Sequence, residues 1–469
     1  MTWSSEEILA ATNGTILRQG KKRIFGEVVT DSGKVKRGSV FIAIKGERLD
    51  GHQFVSEAMQ RGAGCVIVHR NLGRAERQDV TVVRVRNTLR ALGDLAHYRR
   101  EKIAPKVLAI TGSNGKTTTK EMVAAILEEA SMKGKPLRGR VLKTEGNFNN
   151  LVGLPLTFLR LRRTDKVAVV ELGTNHPGEI RRLAEIADPD IGVVTSVAAA
   201  HLEGLDTVAG VAREKGALYR RVRSQGTIAV NLDDPWVRRL ANNFKGRKIT
   251  YGQGGQVRAT SWRSLGAKGV EFTLRAGDQS CDVRLSFLGQ HNILNALGAA
   301  AMAHGMGVSL PVIRRGLQRA RPFPMRMQVQ DWKGVGVIND AYNANPASMA
   351  AAMETLAAID CAGHRIAVLG DMFELGSQSR NQHLRLGEHV ARTGIDRLYL
   401  LGQRAGEVKK GALRAGMKER AIVIGHDHSD LAAQIGRRVR KGDWLLFKGS
   451  RGMKMENVLA QLKGRESGV

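Results

Sequence analysis

The sequence predicts an α/β protein of three domains: an N-terminal α/β domain, a central domain with a mainly parallel sheet, and a C-terminal doubly wound domain. The length of 469 residues corresponds to about three domains at roughly 100 to 200 residues each. Strand-like apolar segments alternate with segments of helical period, which is typical of parallel sheets. Prolines at positions 105, 322 and 324 interrupt this alternation and divide the chain into residues 1–104, 105–321 and 322–469.

The composition is that of a soluble globular protein. With 42% hydrophobic and 25% charged residues, it excludes the disordered and collagen-like classes. No apolar run approaches the roughly 20 residues of a membrane-spanning helix, and the first residues show no signal-peptide pattern, so we expect a cytoplasmic protein. Cys65, Cys281 and Cys361 are far apart and lack metal-ligand spacing, which argues against disulfides and a zinc site.

The chain is strongly basic, with 74 lysines and arginines against 44 acidic residues and a formal net charge of +30. The basic residues form short groups along the whole chain, and aromatic residues make up only 4%. This favours a basic surface suited to an anionic substrate over a surface that stacks nucleic-acid bases. We therefore expect a monomer without a nucleic-acid partner, and the charge is compatible with peripheral contact to an anionic membrane.

In the first two domains the pattern predicts both strands and helices. The predicted strands are residues 39–44, 65–68, 107–110, 167–171, 192–196 and 227–231. The predicted helices are residues 53–61, 120–130 and 292–306. Between residues 248 and 288, short alternating segments predict an antiparallel appendage to the central sheet.

The last domain repeats the α/β alternation. Strands are predicted to begin near residues 336, 366, 397, 421 and 444, and helices near residues 347, 382, 404 and 431. This alternation is the pattern of an open, doubly wound, Rossmann-like sheet.

A glycine-containing loop joins the predicted strand 107–110 to the next helix. It reads Gly112-Ser113-Asn114-Gly115-Lys116-Thr117-Thr118. N–H groups at a helix start bind anionic oxygens, a lysine neutralises phosphate, and a threonine hydroxyl is a magnesium ligand. Ile110 stands where the general P-loop pattern has its first glycine, and a chance Gly-Lys-Thr turn is the alternative. The flanking strand and helix favour a nucleotide-phosphate loop and a P-loop-type sheet.

Three further residues follow the central strands. Glu171 ends a predicted strand, where a mononucleotide site needs a magnesium ligand. His201 follows the strand 192–196, although a lone histidine is more often structural. Lys215, judged by sequence alone, is a solvated helix lysine.

Asn292 and Asn295 lie three residues apart at the start of a helix and hence on one face. Their amides are suited to reading a purine edge, and a helix cap plus a surface amide is an equally good interpretation.

Together, the order of these motifs resembles the Mur ligases, the ATP-dependent amide-bond-forming enzymes of peptidoglycan precursor synthesis, over essentially the whole chain. The loop at residues 111–118 resembles the family's ATP loop, which also lacks the first P-loop glycine. The resemblance implies ATP and Mg²⁺ as cofactors, with Thr117, Glu171 and His201 as metal ligands. It also implies that Lys215 carries a carbamate that helps to hold a second magnesium.

The resemblance further assigns roles to residues in all three domains. It implies catalytic roles for Lys116, Lys215, His201 and Arg326. Nucleotide binding is expected at residues 112–118 and at Asn292, Asn295, Arg326, Asp340 and Tyr342. Contacts to the nucleotide sugar or the amino-acid acceptor are expected at Ser32, Lys45, Asp50, His52, Thr144, Asn147, Asn150, Asn343, Asn345, Asp371, Lys448 and Ser450.

Within the family, residues 171–180, 340–349 and 368–376 resemble the member that adds D-alanyl-D-alanine to UDP-N-acetylmuramoyl-tripeptide. The implied reaction converts a carboxylate into an acyl phosphate, from which the dipeptide amine displaces phosphate. One alternative is another ligase of this group, such as a diaminopimelate-adding, lysine-adding or folylpolyglutamate synthetase-like enzyme. A remote alternative is a nucleic-acid-stimulated ATPase, whose binding would weaken steeply with salt.

Overall fold

The computed structural model describes residues 2–46, 49–71 and 79–464. Within these residues, three large sheets follow one another along the chain, each formed by mainly parallel strands with helices between them. The predicted α/β class with a large, mostly parallel central sheet is confirmed. No helix in the described ranges is long and apolar enough to cross a membrane.

The N-terminal sheet has five strands. In spatial order they are Thr15–Arg18, Thr81–Arg84, Cys65–Val68, Val40–Ile42 and Val28–Val29. The first pair is antiparallel and the remaining pairs are parallel. A short ribbon joins Trp3–Ser4 to Ile24–Phe25. The helices are Ser5–Thr12, Val55–Gln60 and Thr88–Ile103.

The central sheet has nine strands. In spatial order they are Val141–Lys143, Val167–Glu171, Lys106–Thr111, Ile191–Val194, Thr227–Asn231, Arg247–Tyr251, Val257–Ser264, Val270–Ala276 and Gln279–Leu285. The first seven strands run in the same direction, and each of the last two pairs antiparallel with the strand before it. The predicted antiparallel segment therefore begins later than residue 248, because the strand Arg247–Tyr251 still pairs in parallel with Thr227–Asn231.

Helices flank this sheet on both faces, over two separate apolar cores. A two-stranded ribbon, Ser131–Met132 with Lys135–Pro136, lies outside it. The helices are Lys116–Glu128, Gly153–Leu159, Glu179–Ala187, Leu202–Leu205, Val208–Lys215, Ala217–Arg221, Pro235–Ala241, His291–Gly305 and Leu310–Arg319. Glu179–Ala187 shows the reason for this packing, since its apolar residues recur every three or four positions and are buried. Each such large side chain contributes about 1.5–3 kcal/mol when fully buried.

The C-terminal sheet has six strands. In spatial order they are Gln328–Trp332, Val335–Asp340, Trp444–Lys448, Arg365–Gly370, Arg397–Leu401 and Ile422–Ile424. The first two form a hairpin and the others are parallel. The helices are Pro346–Ala357, Ser379–Arg392, Ala405–Arg414, His428–Arg438 and Glu456–Gly464.

The strand order of the central sheet decides where a site can form. Lys106–Thr111 lies between Val167–Glu171 and Ile191–Val194, and all three strands run in the same direction. Their carboxyl ends therefore share one edge of the sheet, where ligands bind in open α/β folds. The helix after the first strand begins at Lys116 and not at residue 120, because Gly115 at φ 81° turns the loop directly into the helix.

Candidate active site

The glycine loop is held against the segment that follows the neighbouring strand. The backbone N–H of Ser113 donates to the carbonyl oxygen of Ser196 at 2.8 Å, and the Ser113 hydroxyl donates to the carbonyl of Ala198 at 3.1 Å. At Gly112, where φ is 150°, a Cβ atom would lie 1.9 Å from the hydroxyl oxygen of Thr195. Only glycine allows this approach, so the loop conformation depends on it.

Lys116 lies across its own loop. Its ammonium donates to the carbonyl oxygens of Gly112 at 2.8 Å and Ser113 at 3.4 Å. Burial lowers the pKa of Lys116, the charge of Arg326 acts in the same direction, and Glu171 opposes both. Phosphate oxygens entering the loop would offer the ammonium a charged partner in place of these carbonyls.

Thr117 and Glu171 form the polar pair at the start of the helix. The Thr117 hydroxyl donates to one carboxylate oxygen of Glu171 at 2.8 Å, and the Asn149 amide donates to the other at 2.9 Å. The backbone N–H of Glu171 donates to the hydroxyl of Thr144 at 3.0 Å. The hydroxyl and carboxylate oxygens suit Mg²⁺, which takes few protein ligands and completes its shell with water and phosphate oxygens.

The described residues contain no group of three or more histidine, cysteine, aspartate or glutamate side chains arranged to hold a metal. Sequence reasoning missed Asn149, whose only signal was its place between the expected residues Asn147 and Asn150. Asn147 is exposed, and the Asn150 side chain accepts from the backbone N–H of Gly153 at 2.8 Å, where the helix Gly153–Leu159 begins.

The structure contradicts the interpretation, made from sequence alone, that Lys215 is a solvated lysine. It ends the helix Val208–Lys215 with only 1% of its surface exposed. Burial and the nearby charge of Lys116 lower the pKa of Lys215 well below its ordinary value. A lowered pKa favours the neutral amine, which is the form that reacts with carbon dioxide, so the site fits the predicted carbamate.

His201 lies at the boundary with the C-terminal domain. Its Nδ1 lies 2.5 Å from a carboxylate oxygen of Glu374, and this hydrogen bond lowers the pKa of the Glu374 carboxyl. Sequence reasoning placed Glu374 inside a family-like segment but gave it no role. The structure therefore gives His201 a specific partner that its position in the sequence did not indicate.

The two asparagines of the helix His291–Gly305 lie against the glycine loop. Asn295 donates to the amide oxygen of Asn292 at 2.9 Å, and Asn292 donates to the carbonyl of Leu288 at 2.7 Å. A Cβ atom on Gly115 would lie 2.1 Å from the amide oxygen of Asn295. Asn292 is buried and bonded within its own turn, so the interpretation as a helix cap plus a surface amide is wrong for it.

The C-terminal domain supplies the residues on the other side of the candidate site, opposite the glycine loop. The Arg326 guanidinium lies over the Tyr342 ring at 4.2 Å from its centre. The Lys448 ammonium donates to the Asp340 carboxylate at 2.5 Å. The Asn345 amide donates to the side-chain oxygen of Asn114 at 2.8 Å, which joins this domain to the glycine loop.

A cavity of about 280 Å³ lies between the two domains. The predicted residues that line it are Ser113, Asn114, Gly115, Lys116, Thr118, Asn292, Asn295, Arg326, Asp340, Asn343, Asn345 and Lys448. A larger cavity of about 660 Å³ adjoins it and shares His291, Leu294 and Ala351. The glycine loop and the charged side chains of Lys116, Arg326, Asp340 and Lys448 face the smaller cavity.

The predicted residues of the N-terminal domain do not line this cavity. Ser32 donates to Glu57 at 3.0 Å, and Lys45 and Asp50 form a backbone bridge. His52 is buried, with Nδ1 2.7 Å from the Asp50 carboxylate and Nε2 accepting from the backbone of His69 at 3.2 Å. Both ring nitrogens of His52 are thus occupied within the domain.

Two expected acceptor residues are likewise engaged in the fold. The Asp371 carboxylate accepts from the backbone of Gln403 at 2.8 Å and of Arg404 at 3.2 Å, just before the helix Ala405–Arg414. The Ser450 hydroxyl accepts from the backbone of Phe373 at 2.8 Å. They lie at the carboxyl ends of two neighbouring strands in the C-terminal sheet.

Three family profiles match successive parts of the chain. The Mur ligase middle domain matches residues 110–303, the Mur ligase glutamate ligase domain matches residues 325–451, and the Mur ligase family catalytic domain matches residues 25–100. The chain belongs to the Mur ligase family. The resemblance deduced from the glycine loop and the residues after it is thereby confirmed.

Individual Mur ligases match over nearly the whole chain. The UDP-N-acetylmuramoyl-tripeptide--D-alanyl-D-alanine ligase of Escherichia coli is 36% identical over 455 residues, covering 95% of each chain. A crystal structure of MurF from Acinetobacter baumannii is similar with a TM-score of 0.90 and 33% identity, covering 99% of each chain. MurF from Thermotoga maritima in complex with ADP is similar with a TM-score of 0.83 and 29% identity, covering 93% of this chain and 97% of that one.

Proposed function

We propose that this Mur ligase joins D-alanyl-D-alanine to UDP-N-acetylmuramoyl-tripeptide at the expense of ATP. The observation that carries the proposal is the full-length similarity to ligases of that name, combined with a cavity in which the phosphate loop faces basic residues of the C-terminal domain. The ADP-bound relative supports ATP as the energy source. We also propose a cytoplasmic location, where ATP is available.

We propose that each domain binds one substrate. The profile matches support domain limits at 1–104, 105–321 and 322–469, with the nucleotide sugar, ATP and the acceptor assigned in that order. The N-terminal and central domains are joined by polar contacts, among them Arg100 with Asp188 at 3.0 Å and Arg182 with Asp94 at 2.5 Å. The central and C-terminal domains enclose the nucleotide cavity.

The residues of the cavity fit acyl-phosphate chemistry. A carboxylate resists attack by an amine, and transfer of a phosphoryl group turns it into an acyl phosphate with a good leaving group. Backbone N–H groups of the loop bind the phosphates, while Lys116 and Arg326 offset the charge on the transferring group. Asn292 and Asn295 face the same cavity and are suited to hold the base.

Thr117 and Glu171, together with His201 as the family resemblance implies, would hold magnesium, which would supply further positive charge at the phosphates. Lys215 as a carbamate would add oxygen ligands near them, and this is why its low pKa matters. Water must be kept from the acyl phosphate, so closure of the C-terminal domain over the cavity is expected before the chemistry.

The test is phosphate release by the purified protein with ATP and magnesium. UDP-N-acetylmuramoyl-tripeptide and D-alanyl-D-alanine are added separately and together, and the product mass is measured. Release that needs both substrates, with a UDP-linked pentapeptide as product, is the expected result. Release with a single amino acid would reassign the step within the family, and stimulation by nucleic acid alone would refute the proposal.

A further inference from the structure

A direct contact joins the central and C-terminal domains at His201, three residues after Ala198, whose backbone is hydrogen-bonded to the Ser113 hydroxyl of the glycine loop. The Nδ1 atom of His201 lies 2.5 Å from the Glu374 carboxylate, and the backbone N–H of Glu203 donates to the Glu374 carbonyl at 3.2 Å. The Glu374 side chain is 44% exposed and the His201 side chain 19% exposed. The contact therefore lies at the rim of the domain boundary, where relative movement of the domains would make or break it.

Both partners have left-handed backbone. His201 has φ 55° and Glu374 has φ 61°, although neither is glycine. This conformation is uncommon for residues with a Cβ atom, and it persists where the surrounding structure fixes it. Two such residues meeting across a domain boundary indicate a built contact and not a chance encounter of surface side chains.

The contact also decides which ring nitrogen of His201 is left for another partner. A carboxylate only accepts hydrogen bonds, so Nδ1 donates to Glu374 and Nε2 is the nitrogen that this contact leaves free. Within the described part of the chain, Nε2 has no hydrogen-bond partner. An imidazole held by a carboxylate in this way is a better and better-oriented cation ligand.

A second bridge shows that the same docking of the domains reaches the phosphate loop. The Asn345 amide donates to the side-chain oxygen of Asn114 at 2.8 Å. The C-terminal domain thus contacts the loop at one point and His201 at another. A rotation that separated the domains would affect both contacts together.

We propose that Glu374 is a positioning residue that orients His201 for cation binding when the C-terminal domain is docked on the central domain. Its effect is to make metal binding depend on domain closure. The proposal rests on the proposed ATP-dependent function only in taking the cation to be the one that accompanies the nucleotide.

The experiment compares Glu374→Ala, Glu374→Gln and a matched control, Glu419→Ala. Glu419 is 72% exposed and pairs with Lys409 at 2.8 Å within the C-terminal domain, so its loss leaves the boundary unchanged. Mn²⁺ binding is measured by electron paramagnetic resonance with and without ADP. ADP affinity without metal and small-angle scattering with both ligands are measured in parallel.

Glu374→Ala is expected to weaken Mn²⁺ binding about 10- to 100-fold and to leave metal-free ADP affinity unchanged. It should also reduce the compaction that Mn²⁺ and ADP together produce. Glu374→Gln should lie closer to the wild type, because its amide oxygen still accepts from Nδ1, and it tests the contact if the alanine variant folds poorly. Glu419→Ala should match the wild type.

The decisive comparison adds His201→Ala to Glu374→Ala. If Glu374 acts through His201, the double variant should bind Mn²⁺ no more weakly than His201→Ala alone. Additive losses, or wild-type Mn²⁺ affinity in Glu374→Ala, would refute the proposal. These readouts require neither the nucleotide sugar nor the dipeptide, so a failure of the proposed ligase reaction would be seen separately, as the absence of product.

Discussion

Replacing Lys116 by alanine removes the ammonium group of the glycine loop and should reduce turnover without unfolding the protein. Among the described residues, the Lys116 ammonium bonds to the carbonyls of Gly112 and Ser113 in its own loop, so we expect a stability change of less than about 2 kcal/mol. Loss of one preorganised donor to a developing charge typically costs about 10²–10³-fold in kcat, or roughly 2.7–4 kcal/mol. Arg326 remains in the cavity and keeps the loss from being larger.

The assay is steady-state phosphate release at saturating ATP and both proposed substrates, with the unfolding midpoint in urea as the control for folding. A kcat at least about 10²-fold below the wild type with an unchanged midpoint is expected. A near wild-type kcat at saturating ATP would refute the assignment of Lys116 to the transferring phosphate. A collapse of stability would show instead that the loop needs the lysine for its own structure.

Three further predictions concern Gly115, Lys215 and Arg100. Gly115→Ala places a Cβ atom 2.1 Å from the Asn295 amide oxygen at φ 81°, so ADP affinity measured by calorimetry should fall, and an unchanged affinity would contradict the role of this close approach. Because burial lowers the pKa of Lys215, the unfolded chain binds a proton that the native chain does not. The wild-type free energy of unfolding in carbon dioxide-free buffer should therefore rise with pH up to the ordinary lysine range, and Lys215→Met should lack this slope. Arg100→Ala breaks the pair with Asp188 between two domains and should cost about 2 kcal/mol in urea unfolding, whereas no loss would mean that the pair is screened by water.

Local sequence patterns predicted most of the fold. The strand 107–110, the glycine loop and the helix after it were identified from apolar runs, glycine spacing and period, and the structure has them at Lys106–Thr111 and Lys116–Glu128. The turn and the helix are local because their hydrogen bonds involve neighbours in the chain, and the strand is recognisable from its apolar run although it pairs with Val167–Glu171 and Ile191–Val194. The exact start of the helix was missed because it depends on the backbone angle of Gly115, which composition does not reveal.

The candidate site could be predicted only where its members lie in one motif or match a known family order. Lys116 and Thr117 belong to the loop itself, and Asn292 and Asn295 line the cavity beside it as expected. Asn149 was not predicted, because its hydrogen bond to the Glu171 carboxylate depends on the order of strands in the sheet and not on spacing in the sequence. The resemblance to the family supplied what spacing alone left open.

The sequence by itself determined the α/β class, the glycine loop, the basic charge and the family, because each follows from the local order of residues or from composition. Only the tertiary structure decided how burial affects Lys215 and which carboxylate holds His201. Glu374 lies 173 residues from His201 in the chain, and Asn345 lies 231 residues from Asn114. Contacts between such distant residues arise when whole domains pack, and the packing also removes water and thereby lowers the pKa of the lysine it buries.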